Sequence, residues 1–517
     1  MTILARPSLW FQRMPREARW LVFICLVALL LRVWPLSGVS TDYDEGVYWQ
    51  SLRAMANGQP LFSSIFSSQP PFFLLSVYPL YLLFGQSLTA ARLAIALFSL
   101  VGIVAAYVVG RRLAGMWAGL LAALLLAVDP LFLTESRTLQ AEAPAISLEI
   151  VAVALALTSM QAESRRRIAL AALAGAALGL GVMTKLFDVV AVIPVFAYLA
   201  LPMFSAALSP RRSTGIPNES DVRSGLRATG LAWLACLGGA LVVSLLVMLP
   251  FAENWSVAYD QVIRFHTIAA RDAGGGILGN FMTIAHVRSE YPLWVAALAG
   301  CVVSVWRRRW EAAPIALWLV ASVAVLVQQR PLFLHHMALL APPLVVLASM
   351  TASGVPEVAT RVANGVTGSR IWASRIALAV VLGCAVAGLL IGVKSDTHAA
   401  HSPSADTLRL AAAIRVRTLP TDYIATDDQY IAGLADRNVI SQLVDTSLVR
   451  IQSGYLTASQ LESLITSTDT RMILFASGRF DQVPGFRAWV EEHYSAVPEV
   501  GDGHMLYVKE PQGPSPV

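Results

Sequence analysis

Apolar positions in this chain gather in long unbroken runs instead of recurring at the spacing of a half-buried helix or strand. The runs at 19–38, 92–110, 113–131, 139–161, 228–250 and 374–393 come close to the ~20 residues a helix needs to cross ~30 Å of hydrocarbon. With the similar but less regular stretches between them, they predict an α-helical polytopic membrane protein of about eleven spans. The stretch 70–84 (Pro-Pro-Phe-Phe-Leu-Leu-Ser-Val-Tyr-Pro-Leu-Tyr-Leu-Leu-Phe) is short, proline-bounded and rich in Tyr and Phe, which suits an interfacial or re-entrant helix. After residue 393 the pattern changes. Tyr423–Thr426, Arg471–Phe475 and Met505–Val508 read as strands, and Ala458–Ile465 and Phe486–Tyr494 as amphipathic helices. The expected organisation is a membrane unit over 1–393 and a soluble α/β domain over 394–517, joined by a linker around His398, His401 and Ser402-Pro403.

Composition agrees with this reading. Hydrophobic residues make up 56% and charged residues 14% of the 517 positions, against roughly 45–50% and about 25% in soluble domains. The net charge of +5 reports loop Arg and Lys, and no basic stripe interleaved with aromatics points to nucleic acid. The cysteines Cys25, Cys236, Cys301 and Cys384 all fall in apolar spans and read as small core hydrophobes. The N-terminal apolar run is too long for a signal-peptide core and lacks a small-x-small cleavage site, so it reads as a retained first span.

The placement of charge predicts sidedness. Arg6/13/16/19, Arg111-Arg112, Arg165–Arg167, Arg211/212/223/227, Arg307–Arg309 and Arg361/370/375 mark alternate span ends. Basic excess marks the cytoplasmic side, so the N-terminus is expected inside a plasma (inner) membrane. The loops 39–91, 132–138, 184–186, 251–290 and 329–331, and the α/β domain, are expected outside.

The expected outer face carries the candidate chemistry. Asp44 and Glu45 follow the first span; as neighbours they cannot share one helix face, so one can face substrate while the other pairs or orients. A carboxylate near apolar surface and a second acid suits a general base, although a solvated loop with a helix cap would read the same. Arg137 and Glu142 bracket the start of a later span, and Lys185 stands alone between two more; a structural ion pair and a snorkelling lysine are the plainer readings. Arg330, His335 and His336 complete the set, and packed neutral imidazoles would account for the last two. Acids and cations together at a lipid boundary suit cleavage at a lipid phosphate, with a carboxylate to deprotonate the attacking hydroxyl. No Walker, GxSxG, HExxH or dinucleotide pattern appears.

The run Asp42-Tyr43-Asp44-Glu45-Gly46-Val47-Tyr48-Trp49 resembles the first-loop acidic signature of the C-type glycosyltransferase superfamily, and more narrowly its protein O-mannosyltransferase and aminoarabinose-transferase branch. Gln69-Pro70-Pro71-Phe72, Ala91-Arg92-Leu93, Arg137…Glu142-Ala-Pro144, Thr184-Lys185 and Arg330-Pro331…His335-His336…Pro342-Pro343 resemble later elements in the same order. The resemblance implies transfer of a sugar from a polyprenyl-phosphate donor to a lipid, glycan or protein acceptor hydroxyl, with inversion. It implies Asp44 as general base, Glu45 as its orienting neighbour, Arg137, Glu142 and Lys185 around the lipid phosphate, and Arg330, His335 and His336 as a later wall. No cofactor is expected; the superfamily admits a divalent cation near Asp44 and Glu45, but no clean ligand set is visible. Gln69 stands where the aminoarabinose enzymes have Lys, which argues against lipid A. The C-terminal α/β domain differs from the β-domain that O-mannosyltransferases carry between spans.

Two other classes fit the same pattern: a transporter or flippase of lipid-linked intermediates, and a non-catalytic scaffold anchoring the outer domain. A transporter would want charges at the bilayer midplane and repeated broken helices. A scaffold would be indifferent to loss of Asp44.

Overall fold

A computed structural model of the chain describes residues 14–34, 43–208, 219–272, 274, 276–354, 376, 379–388, 390–391, 403–497 and 504–509. Among the described residues the apolar runs become helices. In chain order these are α1 (Arg16–Val33), α2 (Tyr43–Ala56), α3 (Phe72–Leu83), α4 (Leu88–Ala114), α5 (Met116–Val128), α6 (Glu142–Ser159), α7 (Ser164–Val182), α8 (Val192–Leu208), α9 (Glu219–Met248), α10 (Tyr291–Trp306), α11 (Ala313–Gln328) and α12 (Ala341–Ser349). Seven helical runs among the described residues are long and apolar enough to cross a membrane. α3 is not one of them. Its 12 residues extend about 18 Å, which places it with α5 among the shorter apolar helices. The linker residues His398, His401 and Ser402 lie outside the described residues.

Small residues let the spans approach closely. A Cβ at Gly175 on α7 would collide with the Cys236 carbonyl of α9, and one at Gly239 on α9 with the Ala172 carbonyl of α7. Backbone contact of this kind packs helices where burial of apolar surface gives no advantage over lipid. The opposite side of α9 exposes Leu234, Leu237, Leu241 and Leu245, a surface solvated by acyl chains. All four cysteines are free.

The C-terminal domain contains α13 (Ala405–Arg417), β1 (Tyr423–Thr426), α14 (Gln429–Leu434), β2 (Asn438–Val439), α15 (Ala458–Ser467), β3 (Met472–Phe475), α16 (Phe486–His493), β4 (Ser495–Val497) and β5 (Met505–Val508). The sheet order is β2-β1-β3-β5-β4. β1 runs parallel to β2 and β3, whereas β5 runs antiparallel to β3 and β4. The central strand β3 is buried at all four positions, as a strand covered on both faces requires. β2 and β4 escape the sequence pattern because one has two residues and the other is largely exposed. The loop helix α2 lies between the domain and the spanning helices, packing on α14 on one side and α3 on the other.

Candidate functional site

The first loop folds as a helix from Tyr43, with both acids in its first turn. Glu45 turns toward the membrane helices and is buried there. Arg92 of α4 grips it with two parallel bonds, Nε to Oε1 at 2.7 Å and Nη2 to Oε2 at 2.6 Å. The Leu139 amide donates to Oε1 at 2.6 Å. Planar two-point pairing is the strong form of a charge-assisted bond, and here it ties α2, α4 and the loop before α6 together. Both Glu45 oxygens are thereby engaged, so this carboxylate does not fit a divalent-cation ligand. Asp44 is half-buried and is rotated about 100° from Glu45 around the helix.

The second acid forms another group. Glu142 opens α6, and its Oε1 receives the Lys185 ammonium from the turn after α7. His335 Nε2 lies 3.6 Å from the same oxygen, while Oε2 is buried with no hydrogen-bond partner among the described residues. The His335 and His336 rings meet edge-on at 4.5 Å. Phe187 closes the group, with His336 at 4.8 Å from its ring and Lys185 Nζ at 5.7 Å over its face. The ligand atoms of Glu142, His335 and His336 lie close enough together to hold a metal ion, but the ammonium of Lys185 already neutralises Glu142 from within the group.

Three of the expected residues, Lys185, Glu142 and His335, are in contact, and His336 packs against His335. Arg137 is buried and donates to the Trp34 carbonyl at 3.2 Å, so it sits at the C-terminal end of α1. Arg330 is half-buried on the loop leading to the histidines and has no ion pair among the described residues.

Several members were not legible as site residues. His266 bonds the Ser68 carbonyl at 2.9 Å and lies within electrostatic reach of Lys185, His336 and Asp445 of the C-terminal domain. Asp445 in turn acts on Arg450 and Tyr43. Burial pulls the Arg450 guanidinium down to about 10, which leaves it cationic at neutral pH. Its Cζ stacks 3.8 Å over the Phe66 ring of the first loop. Deeper in the spans, Glu149 accepts the Trp318 indole N–H at 2.7 Å, and its second oxygen and Asp188 Oδ2 have no hydrogen-bond partner among the described residues. A charged type inside an apolar run was the available signal for Arg92, Glu149 and Asp188. For the domain residues there was none, because only folding brings them here.

Residues 68–209 match the family model of dolichyl-phosphate-mannose-protein mannosyltransferase. The structure is similar over 96% of this chain and 99% of the other to ArnT from Cupriavidus metallidurans, solved bound to undecaprenyl phosphate, with a TM-score of 0.62 and 17% identity. The chain has the C-type glycosyltransferase fold. The oligosaccharyltransferase of Archaeoglobus fulgidus in its apo form is similar over 94% of this chain and 73% of its own, with a TM-score of 0.57 and 13% identity. The arabinofuranosyltransferase AftD from Mycobacteria is similar over 96% of this chain and 40% of its own, with a TM-score of 0.54 and 15% identity. No curated protein matches the chain by sequence. The matched family and these neighbours are glycosyltransferases, and the chain is a multi-pass membrane protein.

Proposed function

We propose that this C-type glycosyltransferase moves a sugar from a polyprenyl-phosphate donor to an acceptor hydroxyl on a lipid, glycan or protein at the outer face of the plasma (inner) membrane. In this reading the N-terminus is cytoplasmic and the unit 394–517 extracytoplasmic. Asp44 takes the proton of the acceptor hydroxyl as its oxygen attacks the anomeric carbon from the face opposite the phosphate. The bond from that carbon to the phosphate oxygen breaks, and the phosphate leaves on its lipid with inversion at the sugar. Lys185, with Arg137 and the imidazoles of His335 and His336, meets the charge that develops on the leaving phosphate. Glu142 holds Lys185 until the donor arrives, and Arg330 lines the approach. Glu45, gripped by Arg92, is the paired and orienting neighbour in this reading, and it orients Asp44 by anchoring α2.

The observation that carries this reading is the Glu142–Lys185–His335 group: a cation in a buried pocket, held by a carboxylate that keeps one oxygen unpaired. The test is mass spectrometry of polyprenyl-phosphate sugars in cells with and without the protein. Cells lacking it, and cells carrying Asp44→Asn, should both accumulate one such lipid, because loss of a general base slows proton transfer about 10²–10⁴-fold. Unchanged lipid profiles in both strains would refute the proposal.

A second reading, movement of a lipid-linked intermediate across the bilayer, draws on the buried acids Glu149 and Asp188. A transporter would keep its activity in Asp44→Asn and lose it in Glu149→Gln.

A further inference from the structure

The parallel strands of an open α/β sheet present their carboxyl ends as a ligand-binding crest. In this chain that crest is occupied by the chain's own first-loop helix. The loop after β2 supplies Thr446, whose amide donates to the Tyr43 hydroxyl at 2.7 Å, with the Thr446 hydroxyl 3.2 Å away. The loop after β3 supplies Arg479, whose guanidinium carbon lies over the Tyr43 ring, 3.7 Å from its centroid. Arg479 is fixed from behind by Asp427 at the end of β1, which accepts its amide at 2.9 Å. Further along α2, Gln50 donates to the Arg437 carbonyl at 3.1 Å, and Arg53 pairs with Asp436 at 2.9 Å. Gly46 touches the Tyr430 backbone, and Gly433 touches the Trp49 ring.

These contacts divide α2 into faces. Tyr43, Gly46, Gln50 and Arg53 recur at helical spacing and meet the C-terminal domain, while Glu45 and Tyr48 meet Arg92 and Phe73 of the membrane unit. Asp44 falls on the stripe between, next in sequence to Tyr43 and its partners Thr446 and Arg479. Two independent clamps therefore fix both the rotation and the tilt of its backbone. Asp428, at the start of α14, is used as that helix's cap, accepting the Tyr430 amide at 3.1 Å.

We propose that the C-terminal domain is a positioning module for transfer, and that Tyr43, held between Thr446 and Arg479, is the positioning residue that aims Asp44. This rests on the assignment of Asp44 as the base. Misplacing a catalytic group by about 1 Å can cost 10²-fold in rate, so the clamp has a kinetic consequence distinct from adhesion.

The test uses the whole chain and four variants: Gly46→Ala, Tyr43→Phe, Asp44→Asn, and Gly46→Ala combined with Asp44→Asn. Gly46→Ala would place a Cβ 2.7 Å from the Tyr430 backbone nitrogen, pushing α2 off the domain without removing any polar group. Tyr43→Phe adds no atoms and removes only the hydroxyl. Each is assayed in membranes for consumption of the polyprenyl-phosphate sugar that accumulates in cells lacking the protein, and after purification for binding of undecaprenyl phosphate. Gly46→Ala should slow consumption about ten- to hundredfold and Tyr43→Phe several-fold, with undecaprenyl phosphate affinity within twofold of wild type. On an Asp44→Asn background Gly46→Ala should add no further loss, because the clamp acts through that carboxylate. Wild-type consumption by both single variants, or a Gly46→Ala loss that persists on the Asp44→Asn background, would overturn the inference. Should Gly46→Ala not fold, Tyr43→Phe decides alone. Wild-type consumption by Asp44→Asn itself would instead remove the base assignment on which the inference stands.

Discussion

Two buried carboxylates on the same side of this protein are paired with cations, and they are built in opposite ways. Glu45 spends both oxygens: Arg92 takes one bond to each, and the Leu139 amide takes a second on Oε1. Glu142 gathers Lys185 and His335 on one oxygen and leaves the other without a partner among the described residues. The first pair is a closed, planar, two-point brace. The second is a point charge that can turn to another anion, held by a carboxylate with bonding capacity to spare. Arginine suits the first task and lysine the second. Sequence alone makes both glutamates look like members of one acidic site, and the geometry separates brace from pocket.

The largest effect that would sharpen this contrast is on stability. Glu45→Gln leaves the Arg92 guanidinium buried with half its pairing, and stranding one partner of a buried pair costs about 3–5 kcal/mol. The unfolding midpoint in detergent should fall accordingly. Replacing both partners with leucine should recover much of that loss, since removing a whole buried pair is often close to neutral. The recovered protein should still transfer slowly, because α2 has lost its anchor. A Glu45→Gln midpoint near that of wild type would mean the brace is not one.

The next effect is on ligand affinity. Lys185→Ala should weaken binding of undecaprenyl phosphate by about 1.5–3 kcal/mol, the contribution of a charge-assisted hydrogen bond, or roughly ten- to a hundredfold. Its unfolding midpoint should move less than that of Glu45→Gln, because Glu142 already tolerates one unpaired oxygen. If Lys185→Ala unfolds early and binds the lipid normally, the two pairs have been assigned the wrong way round.

How much of this the sequence could disclose depends on distance along the chain. The spans are legible because hydrocarbon imposes a length and a polarity on each segment independently, so 92–110 alone announces most of α4. The three longer strands of the domain are legible for a similar local reason. Glu142 and Lys185 could be singled out as costly charges, yet their pairing across 43 positions could not be read from either neighbourhood. Glu45 shows the sharper limit. Its place beside Asp44 suggested a pairing or orienting neighbour, but its partner Arg92, 47 positions on within an apolar run, could not be read from that neighbourhood. The grip of Thr446 and Arg479 on Tyr43 joins positions about 400 apart, 403 in the case of Thr446, and no local pattern carries it.

The smallest effect sets the floor of the comparison. Asp469 and Lys509 form a third pair, at 2.5 Å, whose carboxylate side chain is 86% exposed. The Lys509 hydrogen bond and charge hold the Asp469 carboxyl below the usual carboxylate range. A depressed carboxyl stabilises the fold above its unfolded titration range, and that contribution disappears as pH falls through the folded one. Exposed pairs of this kind are screened by water and salt and contribute little. Asp469→Asn should therefore differ from wild type only slightly at neutral pH and low salt. The difference should vanish in acid, where the wild-type carboxyl is protonated, and also at high salt. A shift approaching that of Glu45→Gln would show that burial is not what separates the strong pair from the weak one, and the contrast between brace and pocket would lose its physical basis.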